Sequence, residues 1–378
     1  MRPKAVAAQK PKSKPAAPPQ PVTPPLATPS RRFLPLLLIL FFASGCSALI
    51  YEIVWYQLLQ LVIGSTAVSL AVLLATFMGG LCAGSIGFSR FVKRSLHPLR
   101  VYALLELGIG ACGILALLGM PLVDGIYTAA VGHGFPAIIL RSIVCAVCLM
   151  PPTILMGASL PAAARWVEAS PQGVSWLSLL YGGNIAGAVF GCLLAGFYLL
   201  RVHDMATATL VAAAINGAVA LIGFVLARRA PYTGQSPAAA LRVAEDSSRA
   251  WPVYVTIALS GATALGAEVV WTRLLGLLLG ATVYTFSIIL AVFLVGLGIG
   301  STVAGFLLRG RIRARLALGI SQLLLVGAIA WTAFMLSSSL PYWPVNPMLS
   351  TSPWLTFQID LARTIWTILP ATLLWGES

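Results

Sequence analysis

The chain has 378 residues, of which 59% are hydrophobic and 9% are charged, and its mean hydropathy is +0.92. Soluble domains carry about a quarter charged residues, so this composition excludes a soluble globular protein and makes lipid the solvent for much of the surface. The formal net charge is +14, but most Lys and Arg residues lie in the first 32 residues or between apolar runs. We therefore expect no nucleic-acid partner, since no basic surface is interleaved with aromatic residues.

The apolar runs follow a short polar start. Residues 1–32 are rich in Pro, Ala and Lys, which predicts a disordered basic tail. Ten runs then have about the 20 residues that a helix needs to cross a bilayer. They are residues 34–63, 66–88, 99–121, 136–163, 174–200, 205–227, 252–279, 283–307, 314–336 and 357–376. The predicted fold class is an all-α polytopic membrane protein with about ten transmembrane helices and the lipid bilayer as its first partner.

The charges between the runs predict the orientation of the chain. Basic residues cluster in the second, sixth and eighth loops, for example at Arg90, Arg242 and Arg313. The third and ninth loops, around Asp124 and Trp343, contain neither Lys nor Arg. Because Lys and Arg are enriched on the cytoplasmic side of membranes, we expect a cytoplasmic amino terminus and cytoplasmic even-numbered loops.

Two stretches of the chain are related to each other. Residues 44–85 align with residues 260–301 at a constant shift of 216, without a gap. The register pairs charged and aromatic residues that a shared apolar composition does not explain: Glu52 with Glu268 and Trp55 with Trp271. Later in the chain, residues 150–159 align with residues 369–378 at a shift of 219.

These matches predict how the chain is divided. Both copies have the same orientation, and the first continues with two further helices whereas the second stops, which predicts a parallel 6+6 repeat with a truncated second half. The predicted parts are a tail (1–32), a first six-helix repeat (33–227), a cytoplasmic linker (228–251) and an incomplete repeat of four helices (252–378).

Carboxylates inside the predicted spans are the main functional candidates, because a charge in hydrocarbon is costly. Glu52 and Glu268 occupy equivalent places in the outer half of the membrane. If the halves pack about a pseudo-twofold axis, the two carboxylates flank one cavity and suit a cation, or a proton exchanged for one. Arg273 is close enough in sequence to neutralise Glu268.

A structural alternative stays open for this pair. Each glutamate would then bond to a neighbouring helix or to water near the outer interface, with Trp55 and Trp271 as interfacial anchors. The third carboxylate, Glu106, aligns with Gln322. A position that takes either an acid or an amide favours an interhelical hydrogen-bonding site.

Asn184 is a further candidate for substrate or proton binding, as a residue that lines a cavity. The alternative is simple helix packing, because glycines around it recur at a spacing of four, which gives a smooth helix face: Gly183, Gly187 and Gly191.

The other chemical signals are negative. The sequence contains no phosphate-binding loop or nucleophile-elbow motif, and its three histidines are scattered. We therefore expect no catalytic residue, metal or cofactor. Three prolines are expected to break the fourth helix: Pro151, Pro152 and Pro161.

Four motifs in order carry a family resemblance. They are Ser44–Trp55, Leu104–Gly110, Leu155–Pro161 and Tyr181–Asn184. They resemble the membrane region of bacterial fused proteins in which a major-facilitator-type bundle precedes a spermidine-synthase-like domain. The resemblance implies a bacterial inner (plasma) membrane protein.

Two functions follow from this resemblance. One is a transporter-like bundle for a small cationic solute such as a polyamine. The other is a membrane anchor or scaffold for an aminopropyltransferase domain that is missing or encoded separately, because the Gly-rich loop and acidic residues of such a domain are absent from this sequence. The enzymatic activity of the family is therefore not expected of these 378 residues.

Overall fold

The computed structural model describes residues 33–63, 67–93, 95–130, 135–167, 173–230, 251–307, 314–343 and 352–377. These residues form helices and no strand, which confirms the predicted all-α class. The predicted tail and most of the predicted linker lie outside them. The helices are α1 (Leu34–Ile63), α2 (Ala67–Phe91), α3 (Pro98–Ala130), α4 (Phe135–Val167), α5 (Gly173–Leu194), α6 (Met205–Arg229), α7 (Trp251–Leu279), α8 (Val283–Leu307), α9 (Ala314–Phe334) and α10 (Pro353–Glu377).

Nine of these helices, α1 to α9, are long and apolar enough to cross a bilayer, so the described chain is a multi-pass membrane protein. The exception is α10, which carries an ion pair between Asp360 and Arg363, with 3.8 Å between the oxygen and the nitrogen. Two helices end in irregular turns. A π-helical segment follows α5 (Ala195–Leu199), and another follows α9 (Met335–Ser339).

The prolines of α4 do not break it, so this prediction is wrong. The helix is continuous from Phe135 to Val167 through all three prolines. In the next turn, the Thr153 hydroxyl donates to the carbonyls of Leu149 (2.9 Å) and Met150 (3.0 Å). The carbonyls that Pro151 and Pro152 leave without their helical donor are those of Val147 and Cys148, four residues earlier.

Two helix crossings are built in the same way. The α2–α4 contact depends on Gly80 and Gly84, where a Cβ atom would overlap the Thr153 side chain and the Ile154 carbonyl. The α8–α10 contact depends on the aligned glycines Gly296 and Gly300, each 216 positions later. There a Cβ atom would overlap the residues that align with Thr153 and Ile154 at a shift of 219: Thr372 and Leu373. The aligned segments therefore make the same contacts in both parts of the chain.

The glycine run of α5 also packs closely. A Cβ atom on Gly187 or Gly191 would overlap the carbonyls of Phe42 and Cys46 in α1. Contacts between α1 and α5 are among the most extensive in the protein, together with those of α2 with α4, α8 with α10, and α3 with α6. The two aligned parts of the chain meet mainly through α5 and α8, with smaller contacts of α7 with α2 and of α8 with α1.

A cap fixes the beginning of α6, which carries Asn216 into the bundle. Asp204 is the N-cap residue, and its side chain accepts a hydrogen bond of 2.8 Å from the backbone N–H of Thr207. Hydrogen bonding from Thr207 lowers the pKa of Asp204. The cap satisfies one of the backbone donors that a helix start leaves without a partner.

Candidate functional site

The two aligned glutamates are both buried. Glu52 on α1 is 2% exposed and Glu268 on α7 is 3% exposed. Their carboxyl groups lie within electrostatic range of each other, although they belong to different parts of the repeat. One carboxyl oxygen of Glu52, Oε1, has no hydrogen-bond partner in the part of the chain that the structure describes. The structure thus buries both members of the pair that the sequence alignment singles out, within electrostatic range of each other.

Cys192, within electrostatic range of this pair, and Ser287, which contacts Cys192, were not predicted as site residues. The Cys192 thiol on α5 lies within electrostatic range of both carboxyl groups and donates to the carbonyl of Ser287 on α8 (3.3 Å). The hydroxyl of Ser287 is buried and has no hydrogen-bond partner among the described residues. Cysteine in an apolar run indicates packing, and Ser287 aligns with Ala71, so no sequence signal marked either residue.

The two tryptophans of the interfacial-anchor interpretation are both buried. Trp55 is 1% exposed and stacks on Tyr51, with 5.3 Å between ring centroids. Trp271 is 5% exposed, and its ring centroid lies 5.3 Å from that of Trp375. An interfacial anchor needs a polar edge in the headgroup region, whereas these two side chains are part of the packed interior. They support the helices that carry the glutamates.

Arg273 does not neutralise Glu268. No ion pair joins these two described side chains. Arg273 is exposed and lines a small pocket of about 40 Å³ together with Tyr56, Gln60 and Thr272. The geometric reason is that Arg273 lies five residues after Glu268, which places it on a different side of a helix with 3.6 residues per turn.

Glu106 is the centre of a second buried polar cluster. Its Oε1 accepts a hydrogen bond from the Ser44 hydroxyl (2.6 Å), and its Oε2 accepts one from the Asn216 amide (2.7 Å). These contacts join α3 to α1 and α6, and Glu106 is fully buried. In the second part of the chain, Gln322 on α9 donates to the hydroxyl of Ser260 on α7 (3.2 Å). Both positions therefore make interhelical hydrogen bonds.

Asn184 does not lie with the two glutamates. Its amide donates to the carbonyl of Phe41 (3.1 Å), and it lines a pocket of about 120 Å³ inside the first six helices. Neither Glu52 nor Glu268 lines this pocket. The structure thus divides the predicted binding residues between two places, the acidic pair at the contact of the two parts and Asn184 within the first part.

A cavity of about 970 Å³ lies between the end of α5, the beginning of α8 and α10. Aromatic side chains, among them Phe197 and Tyr284, form much of its wall, and the charged residues Arg201 and Asp360 also line it. None of the predicted site residues does so. Thr285 lines both this cavity and the small pocket that contains Arg273.

The described residues contain no group of three or more His, Cys, Asp or Glu side chains that could hold a metal ion. Comparison with protein-family models, curated proteins and solved structures gives no match for this chain. The geometry of the site is therefore the basis for a functional proposal.

Proposed function

We propose that this protein is a transporter-like bundle that binds a small cationic solute, such as a polyamine, between Glu52 and Glu268. The observation that carries the proposal is the burial of two carboxyl groups, at equivalent positions of the repeat, that lie within electrostatic range of each other. Two carboxylates within electrostatic range in an apolar interior repel each other and lose their hydration, so both stay charged only beside a positive charge. An ammonium group, or protons exchanged for it, supplies that charge.

The surroundings of the pair support a binding role over simple packing. Oε1 of Glu52 remains without a hydrogen-bond partner in the described chain, although it is buried. Buried polar atoms are normally satisfied, and an atom that is not indicates a missing ligand, ion or water. The pair also lies where the two parts of the repeat meet, as the substrate sites of repeat-based transporters do.

The orientation and the cellular location belong to the same proposal. The positive loops support a cytoplasmic amino terminus, and the motif resemblance supports a bacterial inner membrane and a major-facilitator-like 6+6 repeat. The apolar helices α1 to α9 require a bilayer whichever way they are inserted.

Uptake of radiolabelled spermidine into proteoliposomes tests the proposal. Glu52→Gln keeps the shape of the side chain and removes its charge, so we expect uptake at low substrate concentration to fall about tenfold or more. Glu268→Gln should have a comparable effect, because Arg273 does not already offset its charge. Asp204→Asn is the matched control, since it changes an exposed acid to an amide and asparagine caps a helix equally well.

The same experiment distinguishes the anchor function. If the reconstituted wild-type protein takes up no more spermidine than empty liposomes, or if both Glu→Gln variants match the wild type, transport is wrong. A membrane anchor for a separate synthase-like domain then becomes the better account. Thermal unfolding of each variant in detergent checks that any loss of uptake does not come from misfolding.

A further inference from the structure

The pocket beside Asn184 is lined by all six helices of the first part, α1 to α6. We call it the acceptor pocket and define it by its five polar residues: Ser44, Ser47, Ser159, Asn184 and Asn216. Its volume of about 120 Å³ exceeds the roughly 10–15 Å³ that one water molecule needs on the same measure. The pocket has room for a small ion and some water.

The serine hydroxyls of the acceptor pocket use their hydrogens elsewhere. Ser47 donates to the carbonyl of Ser44 (2.9 Å), Ser159 donates to the carbonyl of Met156 (2.8 Å), and Ser44 donates to Glu106. A hydroxyl has one hydrogen and two lone pairs, so each of these oxygens retains only acceptor capacity.

The side-chain amides of Asn184 and Asn216 also leave their oxygen acceptors available to the pocket. The Asn216 amide nitrogen donates to Glu106, and that of Asn184 donates to Phe41, which leaves the carbonyl oxygens for the pocket and one N–H on each amide. Asn216 is 1% exposed, and its Oδ1 has no hydrogen-bond partner among the residues described. An unpaired buried oxygen at the wall of a polar pocket indicates a ligand that offers positive charge or hydrogen.

A carboxyl group lies directly behind this wall. Glu106 accepts hydrogen bonds from two of the pocket residues, Ser44 and Asn216. A cation in the pocket would stabilise the ionised form of this carboxyl group. No ion pair to Glu106 exists in the described residues. We propose that the acceptor pocket binds a small monovalent cation of the sodium class with part of its hydration shell.

The oxygen ligands that the pocket offers favour a monovalent over a divalent ion. Calcium and magnesium prefer hard oxygen ligands that include carboxylates bound directly to the metal. Here the one carboxylate acts through Ser44 and Asn216, and neutral oxygens form the wall. The site is separate from the Glu52–Glu268 pair, so its existence does not depend on polyamine transport.

Sodium-dependent stability of the purified protein tests this site. We expect Tm in detergent to rise saturably with NaCl over choline chloride at constant ionic strength, and equilibrium dialysis to show bound ²²Na. Glu106→Gln should weaken sodium binding about tenfold or more, because the charge is lost. Ser47→Ala should weaken it a few-fold, because one wall oxygen is lost while the fold is kept.

Two controls locate the effect. Ser321→Ala removes a buried hydroxyl of α9 that donates to its own helix, as Ser47 does, but lies outside the pocket, and should bind sodium like the wild type. Glu268→Gln should also bind it normally, which separates this site from the proposed polyamine site. The proposal is overturned if NaCl raises the Tm of the wild type no more than choline chloride does and dialysis shows no bound ²²Na. That result would make the pocket a water site only. It is also overturned if Ser47→Ala and Ser321→Ala behave alike, a comparison that holds even if Glu106→Gln fails to fold.

Discussion

The Ser44–Glu106 and Ser260–Gln322 contacts show the same helix pairing with different chemistry. In each, a serine of one helix bonds to a residue 62 positions later. The first contact has a carboxyl group, a distance of 2.6 Å and a second donor from Asn216, whereas the second has an amide and a distance of 3.2 Å. Among the described helices, α6 packs extensively on α3, and no helix takes that place on α9.

This difference explains where a buried acid can be placed. A carboxylate in an apolar interior needs several donors, and α6 supplies the second one in the first part. In the second part, the described contact at the corresponding position of α9 is the single hydrogen bond from Gln322 to Ser260. The two aligned positions therefore both make interhelical hydrogen bonds, with a carboxyl group in one and an amide in the other.

The aligned helices α1 and α7 also differ in burial. In the most apolar stretch of each helix, 56% of the residues of α1 are buried but only 11% of those of α7. Among the described helices, α1 packs extensively against α5 and α6, whereas α7 makes small contacts with α8, α10 and α2. Even so, Glu268 and Trp271 on α7 are buried, so the limited buried face of this helix is the one that carries the candidate site.

The largest effect that would separate the two polar contacts is expected at Glu106. Glu106→Ala leaves Asn216 and Ser44 without their acceptor in a buried site, and we expect a loss of about 2 kcal/mol in unfolding free energy. Gln322→Ala removes one interhelical hydrogen bond and should cost about 0.6 kcal/mol. Unfolding in sodium dodecyl sulfate measures both. Equal losses would contradict the claim that the two contacts differ in strength.

A smaller loss of stability is expected at the two glycine-mediated helix crossings, α2–α4 and α8–α10, and it should be similar in both. Gly84→Ala and Gly300→Ala each place a methyl group against a backbone carbonyl at a helix crossing. We expect each to destabilise the protein by about 1–2 kcal/mol, since neither backbone can move away freely. Gly79→Ala, with no neighbour within 4 Å, is the control and should change little. If Gly84→Ala is destabilising and Gly300→Ala is not, the crossings are not equivalent.

The sequence predicts the fold well because its signals are local. The bounds of α8 agree with the predicted run, while α3 continues beyond its run to Ala130 and α10 begins before its run at Pro353. The alignment also predicts that Glu52 and Glu268 are related positions. Their electrostatic interaction depends on where α1 and α7 lie in space, which periodicity does not encode.

The remaining features of the site depend on long-range contacts. Asn216 is 110 residues from Glu106, and its bond to that residue exists only because α6 packs on α3. From the sequence, Cys192 is predicted to be a packing residue. Its hydrogen bond to Ser287 exists only because α5 packs on α8. The burial of Trp55 and Trp271 could not be predicted from their places near the outer end of apolar runs, because tryptophan is common both at interfaces and in cores.

A double-mutant cycle on spermidine binding tests most directly whether Glu52 and Glu268 form one site. The affinity of the purified protein is measured for the wild type, Glu52→Gln, Glu268→Gln and the double variant. If both carboxylates bind the same cation, each single change removes most of the binding and the double change adds little, so the losses are strongly non-additive. Independent losses that simply add, or unchanged affinity in either single variant, would contradict a shared site.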